Sequence, residues 1–408
     1  MLRSRTLIAL LVAEAVSSSG TAMTFVALPW FVLVTTGSAA KTSVVLAVEI
    51  APMAILGIPS GSVIARLGAR TTMLWSDAIR APLIALVPVL HWTGHLTFAW
   101  LCVIVFALGA FTAPYMSSQR VIVPELFGDD ERMVSKASGL FSGASQLPIV
   151  IGPAVAGALV AAAGAPAVLV VDAATYLFAF ACVALFVSGG RRVPDDGSSR
   201  GVLAGVRYLA RDTLLGPMSL TVIVLDGAAG AIAVAVPLLA FTRYDENPHV
   251  AGLLFTGFGV GAVFGSAVVV KLLDRFEPLR LACAAMLLAT APLWVIVAPV
   301  PWPVALAAVG ICGVFVPMVN APIMGILTTR PPVAVRAKVM TAVLTATGIG
   351  SPLGRLLTAP AYTRFGNAGV WILIAGGLTV GSVLFIAVTV AAWRSKESGS
   401  SSPAAQAS

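Results

Sequence analysis

Long apolar runs alternate with short polar breaks along all 408 residues. The runs lie at about 7–34, 42–65, 71–90, 97–119, 136–162, 165–188, 214–241, 250–273, 279–298, 303–328, 337–362 and 367–393. Each is long enough to cross a hydrocarbon core of about 30 Å as a helix. The breaks carry turn or charge signals: Thr-Thr-Gly-Ser at 35–38, Gly-Asp-Asp-Glu-Arg at 128–132, Pro-Trp-Pro at 301–303 and Arg-Pro-Pro at 330–332. Backbone polar groups in lipid must be satisfied within the segment, so the pattern predicts an all-α membrane protein with twelve transmembrane helices. The first run, Leu7 to Val34, is too long for the apolar core of a cleavable signal. A short basic turn, GSVIARLGAR at 61–70, is echoed by VKLLDRFEPLR at 270–280, with Ala65-Arg66 aligned on Asp274-Arg275. One such turn per half predicts two related six-helix bundles.

Composition agrees with the pattern: 59% of residues are hydrophobic and 10% charged. A soluble domain is nearer a quarter charged. The net charge of +8 does not point to nucleic acid, because its placement follows the spans. Twenty of the 25 Lys and Arg fall on one face, among them Arg3, Arg5, Arg66, Arg70, Lys271, Arg275, Arg330 and Lys396. The other face holds Lys41, Arg243 and Arg364, and Arg80 and Arg355 lie within spans. The positive-inside rule then predicts a multi-pass cell-membrane protein with both termini in the cytoplasm.

The division expected is a bundle over 1–187, a cytoplasmic linker over 188–213, a second bundle over 214–393 and a disordered tail over 394–408. The linker opens with the flexible RRVPDDGSSR. It continues as VLAGVRYLARDTLL, whose Val202, Val206 and Leu209 share a face, so an amphipathic helix on the membrane surface is expected. Cys102, Cys182, Cys283 and Cys312 all fall in spans and read as reduced packing residues. His91, His95 and His249 lack metal-site spacing. Trp30, Phe31, Trp100, Trp302 and Trp371 fall near span ends and suggest an interfacial belt. No metal and no cofactor is expected, and the partners implied are the bilayer, a small-molecule substrate and protons, acting on a monomer.

This organisation resembles the major facilitator superfamily. GSVIARLGAR is similar to its signature between helices 2 and 3: Gly61, Arg66, Gly68 and Arg70 match, while Ala65 replaces an Asp. In the second copy Asp274 and Arg275 match, while Val270 and Glu277 replace glycines. Within the superfamily, SDAIRA (76–81), PYMSSQRVIVPEL (114–126), SQLPIVIGPAVAGAL (145–159), VDAATYLF (171–178), NAPIMGI (320–326) and GSPLG (350–354) resemble the third drug:proton antiporter family. Its members include macrolide, tetracycline and siderophore exporters. Gly152, Pro153 and Gly157 fit the helix-5 motif of exporters, with Ala156 in place of one glycine. Physically, Gly61 lets a neighbouring helix approach, and Pro153 favours a kink. Arg66 and Arg70 stand where they can pair with acids or helix C-termini. Either they enforce topology against lipid phosphates or they form a gate broken in one conformation. The resemblance favours the gate.

Ionisable residues inside a span are functional candidates by default. Here they are Glu14, Glu49, Asp77, Arg80, Asp172, Asp226 and Arg355. The resemblance implies that helices 1 and 7 line a central cavity, which places Glu14 and Asp226 as proton or substrate sites facing one space. A carboxylate desolvated there can hold a proton in one state and a cationic substrate in the other. The competing reading is packing alone. Glu49 belongs to the cavity or the outer vestibule. Asp77 and Arg80, three apart, read as a structural pair. Asp172 reads as the N-terminal cap of the sixth span. Arg355 needs a partner, and Asp226 is the acid of its own half; a pair there would argue against Asp226 as proton carrier.

The function expected is proton-coupled export of hydrophobic small molecules, drugs or antibiotics, by alternating access. The alternative in the same fold is a dedicated carrier of one siderophore, lipid or metabolite. A membrane sensor or enzyme is a third reading, but the chain has no Gly-rich phosphate loop, no metal-spaced His/Cys set and no soluble catalytic domain.

Overall fold

The computed structural model describes residues 5–127, 131–187, 202–212 and 214–400. Nearly all of them are helical: α1 (Arg5–Thr36), α2 (Ala39–Leu67), α3 (Ala69–Trp92), α4 (Phe98–Phe127), α5 (Glu131–Ala163), α6 (Ala165–Phe186), α7 (Val202–Arg211), α8 (Leu215–Arg243), α9 (Pro248–Leu273), α10 (Pro278–Thr290), α11 (Trp302–Thr329) and α12 (Val333–Ser400). A 3-10 segment, Ala291–Val297, extends α10. Pro292 has no N–H for the α-helical ladder, so the ninth span finishes as a tighter helix. Gly366, at φ +62°, divides α12 into the eleventh and twelfth spans. That left-handed conformation suits glycine, which has no Cβ to clash. Nine helices among the described residues are long and apolar enough to cross a membrane by length and composition.

Three expectations are corrected. The last helix runs on to Ser400, past the expected tail start at 394, with no Gly or Pro between Gly381 and Gly399 to stop it; residues 401–408 and the linker stretch 188–201 lie outside the described residues. Helix α7 forms, but protein covers part of its apolar face: Leu209 is buried with Leu215, Met218 and Val339, while Val206 stays exposed. Of the residues expected in an aromatic belt, Trp100 and Trp302 are exposed. Trp30, Phe31 and Trp371 are buried in the core, because the span ends there pack on each other instead of meeting lipid. The four cysteines are free.

In the first bundle α1 packs on α5 and α6, α2 on α4, and α3 on α4 and α6. In the second, α8 packs on α12 and α9 on α11. Gly257, Gly261 and Gly265 recur every fourth residue on α9, where Cβ atoms would collide with Leu306, Gly310 and Val314 of α11. This small-residue stripe lets the two backbones touch, the usual device of membrane helices that lack a hydrophobic drive to associate.

The halves meet along α5–α9, α2–α12 and α1–α8. One apolar core at the end opposite the termini draws on both halves, from Leu28 and Leu46 to Leu239 and Trp371. Phe25–Phe255 and Trp30–Phe241 edge-to-face pairs, at 5.1 and 5.8 Å, cross between halves there. At the basic, terminal end the cores are separate: one holds first-half residues from Leu7 to Val187, and another holds second-half residues from Leu209 to Phe385. Among the described residues the halves are therefore sealed at the far end and parted at the basic end.

Candidate functional site: a buried polar core and an arginine between the halves

Glu14 is fully buried on α1. Ser18, one turn on, donates to its Oε1 at 2.8 Å. From α4, Gln119 donates to Oε1 at 2.8 Å and Tyr115 to Oε2 at 3.4 Å. Tyr115 and Gln119 are four apart, so they share the face of α4 turned to α1. Among the described residues the carboxyl group thus has three neutral donors and no cation in contact. A groove of about 550 Å³ between α1 and α5 lies beside it, lined by Ala15, Ser19, Met23, Leu147, Gly152 and Val155 among others. Glu14 itself does not open onto space; half-buried Ser18 and Gln119 cover it.

Arg80 on α3 is buried and donates to Asp77 at 2.5 Å. It does more than offset Asp77. Its guanidinium carbon lies 4.0 Å from the Tyr115 ring centroid and 4.3 Å from that of Tyr176, a clamp by two ring faces. Tyr115 therefore touches both Arg80 and Glu14. Asp77 Oδ2 and Arg80 Nε have no hydrogen-bond partner among the described residues.

Asp172 is not a helix cap. The cap of α6 is Gly164, and Asp172 lies two turns inside, fully buried. Its Oδ2 accepts from Thr24 of α1 at 2.6 Å and its Oδ1 from Thr175 at 3.2 Å. Gly20 makes this possible, since a Cβ there would fall on Thr175 and Asp172. The tertiary contact with α1 buries a position that span counting put near the surface. Thr21 and Tyr176 hydroxyls, 3.1 Å apart, tie α1 to the ring that faces Arg80.

In the second half, Asp226 is half-buried on α8, close to the Ser351 backbone amide of α12. It is not brought together with Glu14. The α8–α12 seam beside it is built of glycine: Cβ atoms on Gly227, Gly230 and Gly354 would all press on the opposing backbone. Arg355, 5% exposed, donates from Nη1 to the Leu46 carbonyl of α2 at 3.0 Å, across the halves. Both Glu49 and Asp226 act on it electrostatically, Glu49 the more strongly; neither is within ion-pair distance among the described residues. The printed contact of Arg355 thus reaches the opposite half, to α2, and no ion pair with Asp226 forms among the described residues.

The basic-turn motif is half engaged. Gly68, at φ +81°, makes the turn between α2 and α3. Arg70 donates from Nη2 to Ala184 O at 3.0 Å and from Nε to Val187 O, satisfying carbonyls at the end of α6. Glu125 of α4 accepts from the Ala69 N–H at 3.1 Å, capping α3. Glu125 was not singled out by sequence reasoning; its position after Pro124, just before the polar break at 128–132, was the available signal. Arg66 is exposed, and Gly61 lies within α2. Asp274 ends α9, and both it and Arg275 are exposed with no side-chain bond among the described residues. In the helix-5 motif, Gly152 faces Ala22 of α1, Pro153 lends its carbonyl side to Gly252, and Gly157 meets Pro248 and Gly252 of α9. The helix continues through Pro153, and the motif forms the close seam between halves.

Two helical bundles meeting along such seams, with buried charges between and beside them, define a multi-pass membrane transporter of the major facilitator superfamily. The family model described as a transmembrane secretion effector matches residues 1–406, and the chain belongs to that family. Among curated relatives, the multidrug efflux pump Tap of Mycolicibacterium fortuitum is 27% identical over 367 residues, covering 87% of this chain and 88% of that one. Among solved structures, the nucleoside transporter NupG matches with a TM-score of 0.76 at 13% identity, over 94% of this chain and 99% of that one. A bacterial homolog of the human lysosomal transporter Spinster, in an inward-facing and occupied conformation, matches with a TM-score of 0.73 at 14% identity, over 95% and 97%.

Proposed function

We propose that this transporter is a proton-coupled exporter of hydrophobic small molecules, drugs and antibiotics included, working by alternating access as a monomer. Its basic end faces the cytoplasm, following the one-sided Lys and Arg. The parted cores at that end then correspond to a state open to the cytoplasm. The observation that carries the reading is Glu14: a fully buried carboxyl whose donors among the described residues are all neutral, beside a largely apolar groove. Among the described residues the first bundle buries four carboxyls, Glu14, Asp77, Glu125 and Asp172, and the first, second and fourth of these share one buried cation, Arg80. A low-dielectric interior does not hold several uncompensated negative charges, so protons balance the set. Rocking the halves changes the wetting of Ser18 and Gln119, and with it the proton affinity of Glu14. A substrate in the adjacent groove acts on Glu14 only through α1, whose Ala15 and Ser19 line that groove. Asp226 is the corresponding carboxyl of the second half. The relatives named as multidrug efflux pumps support the substrate class.

The test is substrate-induced proton release by the purified transporter, screened over unrelated dyes and antibiotics, with proton-dependent efflux from vesicles alongside. Release by several unrelated compounds is expected, and by one compound only if the protein is a dedicated carrier. Proton-coupled transport that survives Glu14→Gln combined with Asp226→Asn would sink the mechanism.

A further inference from the structure

We propose that Met116 and Met324 form a two-sided thioether clamp for the aromatic part of the cargo, and that Asn320 is the hydrogen-bonding residue that selects among aromatic cargoes. The inference deepens the exporter reading and rests on it for transport, though not for its geometry.

Its starting point is a repeat inside the spans. Thr-Ala-Pro-Tyr-Met at 112–116 of α4 returns as Asn-Ala-Pro-Ile-Met at 320–324 of α11, 208 residues on (320 − 112). The basic turns are offset by 209 residues (274 − 65), so the two segments are mates in the two bundles. Thr112, Tyr115, Met116 and Gln119 stand at i, i+3, i+4 and i+7 and share one stripe of α4. Tyr115 and Gln119 donate to Glu14 of α1, so that stripe faces inward. Exposed Trp100 and Val103 mark the lipid side of α4, and exposed Val304 and Ile311 that of α11. Thr112 follows Val103 by nine residues, as Asn320 follows Ile311. At about 100° per residue, nine residues reach the opposite side of the helix. Met116 and Met324, one turn further on, lie about 140° from the same markers. Both are nonetheless exposed, 43% and 41%, and so is Asn320. Side chains exposed away from lipid face the space between the halves, which part toward the basic end.

Each methionine adjoins an acid. Met116 follows Tyr115, which bonds Glu14. Ile323, beside Met324, packs with Val222 and Leu225 of the α8 turn that carries Asp226. A thioether is polarisable and unbranched, so it adapts to unlike rings and gains from contact at their edges. One from each half meets an aromatic cargo from two sides without demanding a fixed shape, which suits unrelated substrates.

The polar members of the repeat differ. The Thr112 hydroxyl donates to Leu108 O of its own helix at 2.8 Å, and Tyr115 and Gln119 are engaged with Glu14. On α11 the mates of those two are Ile323 and Leu327, both buried in the core. Asn320 is the polar side chain of its stripe, and its carboxamide makes no hydrogen bond among the described residues. It offers two donors and an acceptor. A cargo with matching groups pairs with it, and one without them leaves it unpaired.

The experiment uses full-length protein in nanodiscs with Cys102, Cys182, Cys283 and Cys312 replaced by alanine. A positively charged methanethiosulfonate enters lipid poorly, so Met116→Cys and Met324→Cys are expected to label about tenfold faster than Val103→Cys and Ile311→Cys. Saturating ethidium should slow the first two together. Equal labelling at all four positions overturns the clamp. Binding is then measured with two aromatic cations: ethidium, which carries amino groups, and tetraphenylphosphonium, which has no hydrogen-bonding group. Asn320→Leu should weaken ethidium about three- to tenfold, the scale of one hydrogen bond, and move tetraphenylphosphonium by less than about twofold; Asn320→Gln should restore part of the ethidium loss. Met116→Ala and Met324→Ala should each weaken both probes about threefold. Asn320→Leu acting equally on both probes overturns the selective role. Methionine variants at parental affinity, or a parent that binds neither probe, overturn the clamp. Ethidium efflux indifferent to a protonophore would instead sink the proton-coupled reading and leave the labelling and binding results standing.

Discussion

Replacing Arg80 by methionine tests the buried core of the first bundle most directly. The side chain is 2% exposed and spans Asp77, Tyr115 and Tyr176. Its charge-assisted bond to Asp77 is worth about 1.5–3 kcal/mol. Each desolvated ring contact adds on the order of 1–2 kcal/mol. Methionine recovers the cost of burying a guanidinium and fills much of the volume between the rings. It also leaves Asp77 buried, with Oδ2 already unpartnered. Removing one member of a buried pair costs about 3–5 kcal/mol, and that is the loss expected for Arg80→Met. Asp77→Asn/Arg80→Met removes the stranded charge, so it should lose less than Arg80→Met alone. Unfolding by SDS in mixed micelles measures both. A loss under about 1 kcal/mol for the single variant, or additive losses in the double, would refute a charge-pair core and leave simple ring packing.

Four further outcomes follow from the same contacts. Thr24→Val strips Asp172 of its donor from α1 and should cost about 1–3 kcal/mol by the same titration; Thr24→Ser should restore most of it. Gly261→Leu drives a side chain into Gly310 and Val314, so α9 and α11 must separate, and a loss of about 3 kcal/mol or failure to express is expected. Burial alone pushes the Asp212 carboxyl up, but the Leu215 and Leu214 amides and Arg330 outweigh it and hold it below the usual range. A depressed carboxyl stabilises above its unfolded value, about 4, and loses that as pH falls through the folded value; Asp212→Asn should therefore cost about 1 kcal/mol at pH 7 and little near pH 3, and a pH-independent gap in melting would contradict this. Arg70→Gln frees the α6 carbonyls of Ala184 and Val187, and hydrogen exchange at the end of α6 should quicken while α9 is unchanged.

Much of the candidate site was legible because buried charge is rare in lipid. Glu14, Glu49, Asp77, Arg80, Asp226 and Arg355 stand out against a background that is 10% charged, and spacing alone joined Asp77 to Arg80. Tyr115, Gln119, Thr24 and Tyr176 were not legible in the same way. Their hydroxyls and amide matter only because α1, α3, α4 and α6 bring them to the charges. Asp172 was visible but misplaced, since span counting gives depth and not the helix that Gly20 admits beside it. The glycine stripe of α9 was readable at four-residue spacing, yet its partner helix was not.

By itself, the sequence determined that this chain is a helical membrane protein, that it is built of two related halves, and which end carries positive charge. Those follow from local rules: a backbone in lipid satisfies itself within each span, and positive loops stay on one side. Only the tertiary structure decided that the far end is sealed by both halves together, that Glu14 answers to α4, and that Arg355 reaches across to Leu46 instead of resting on Asp226. These are pairings between segments hundreds of residues apart, set by close helix packing at small residues, and no periodicity along one helix encodes which neighbour it will meet.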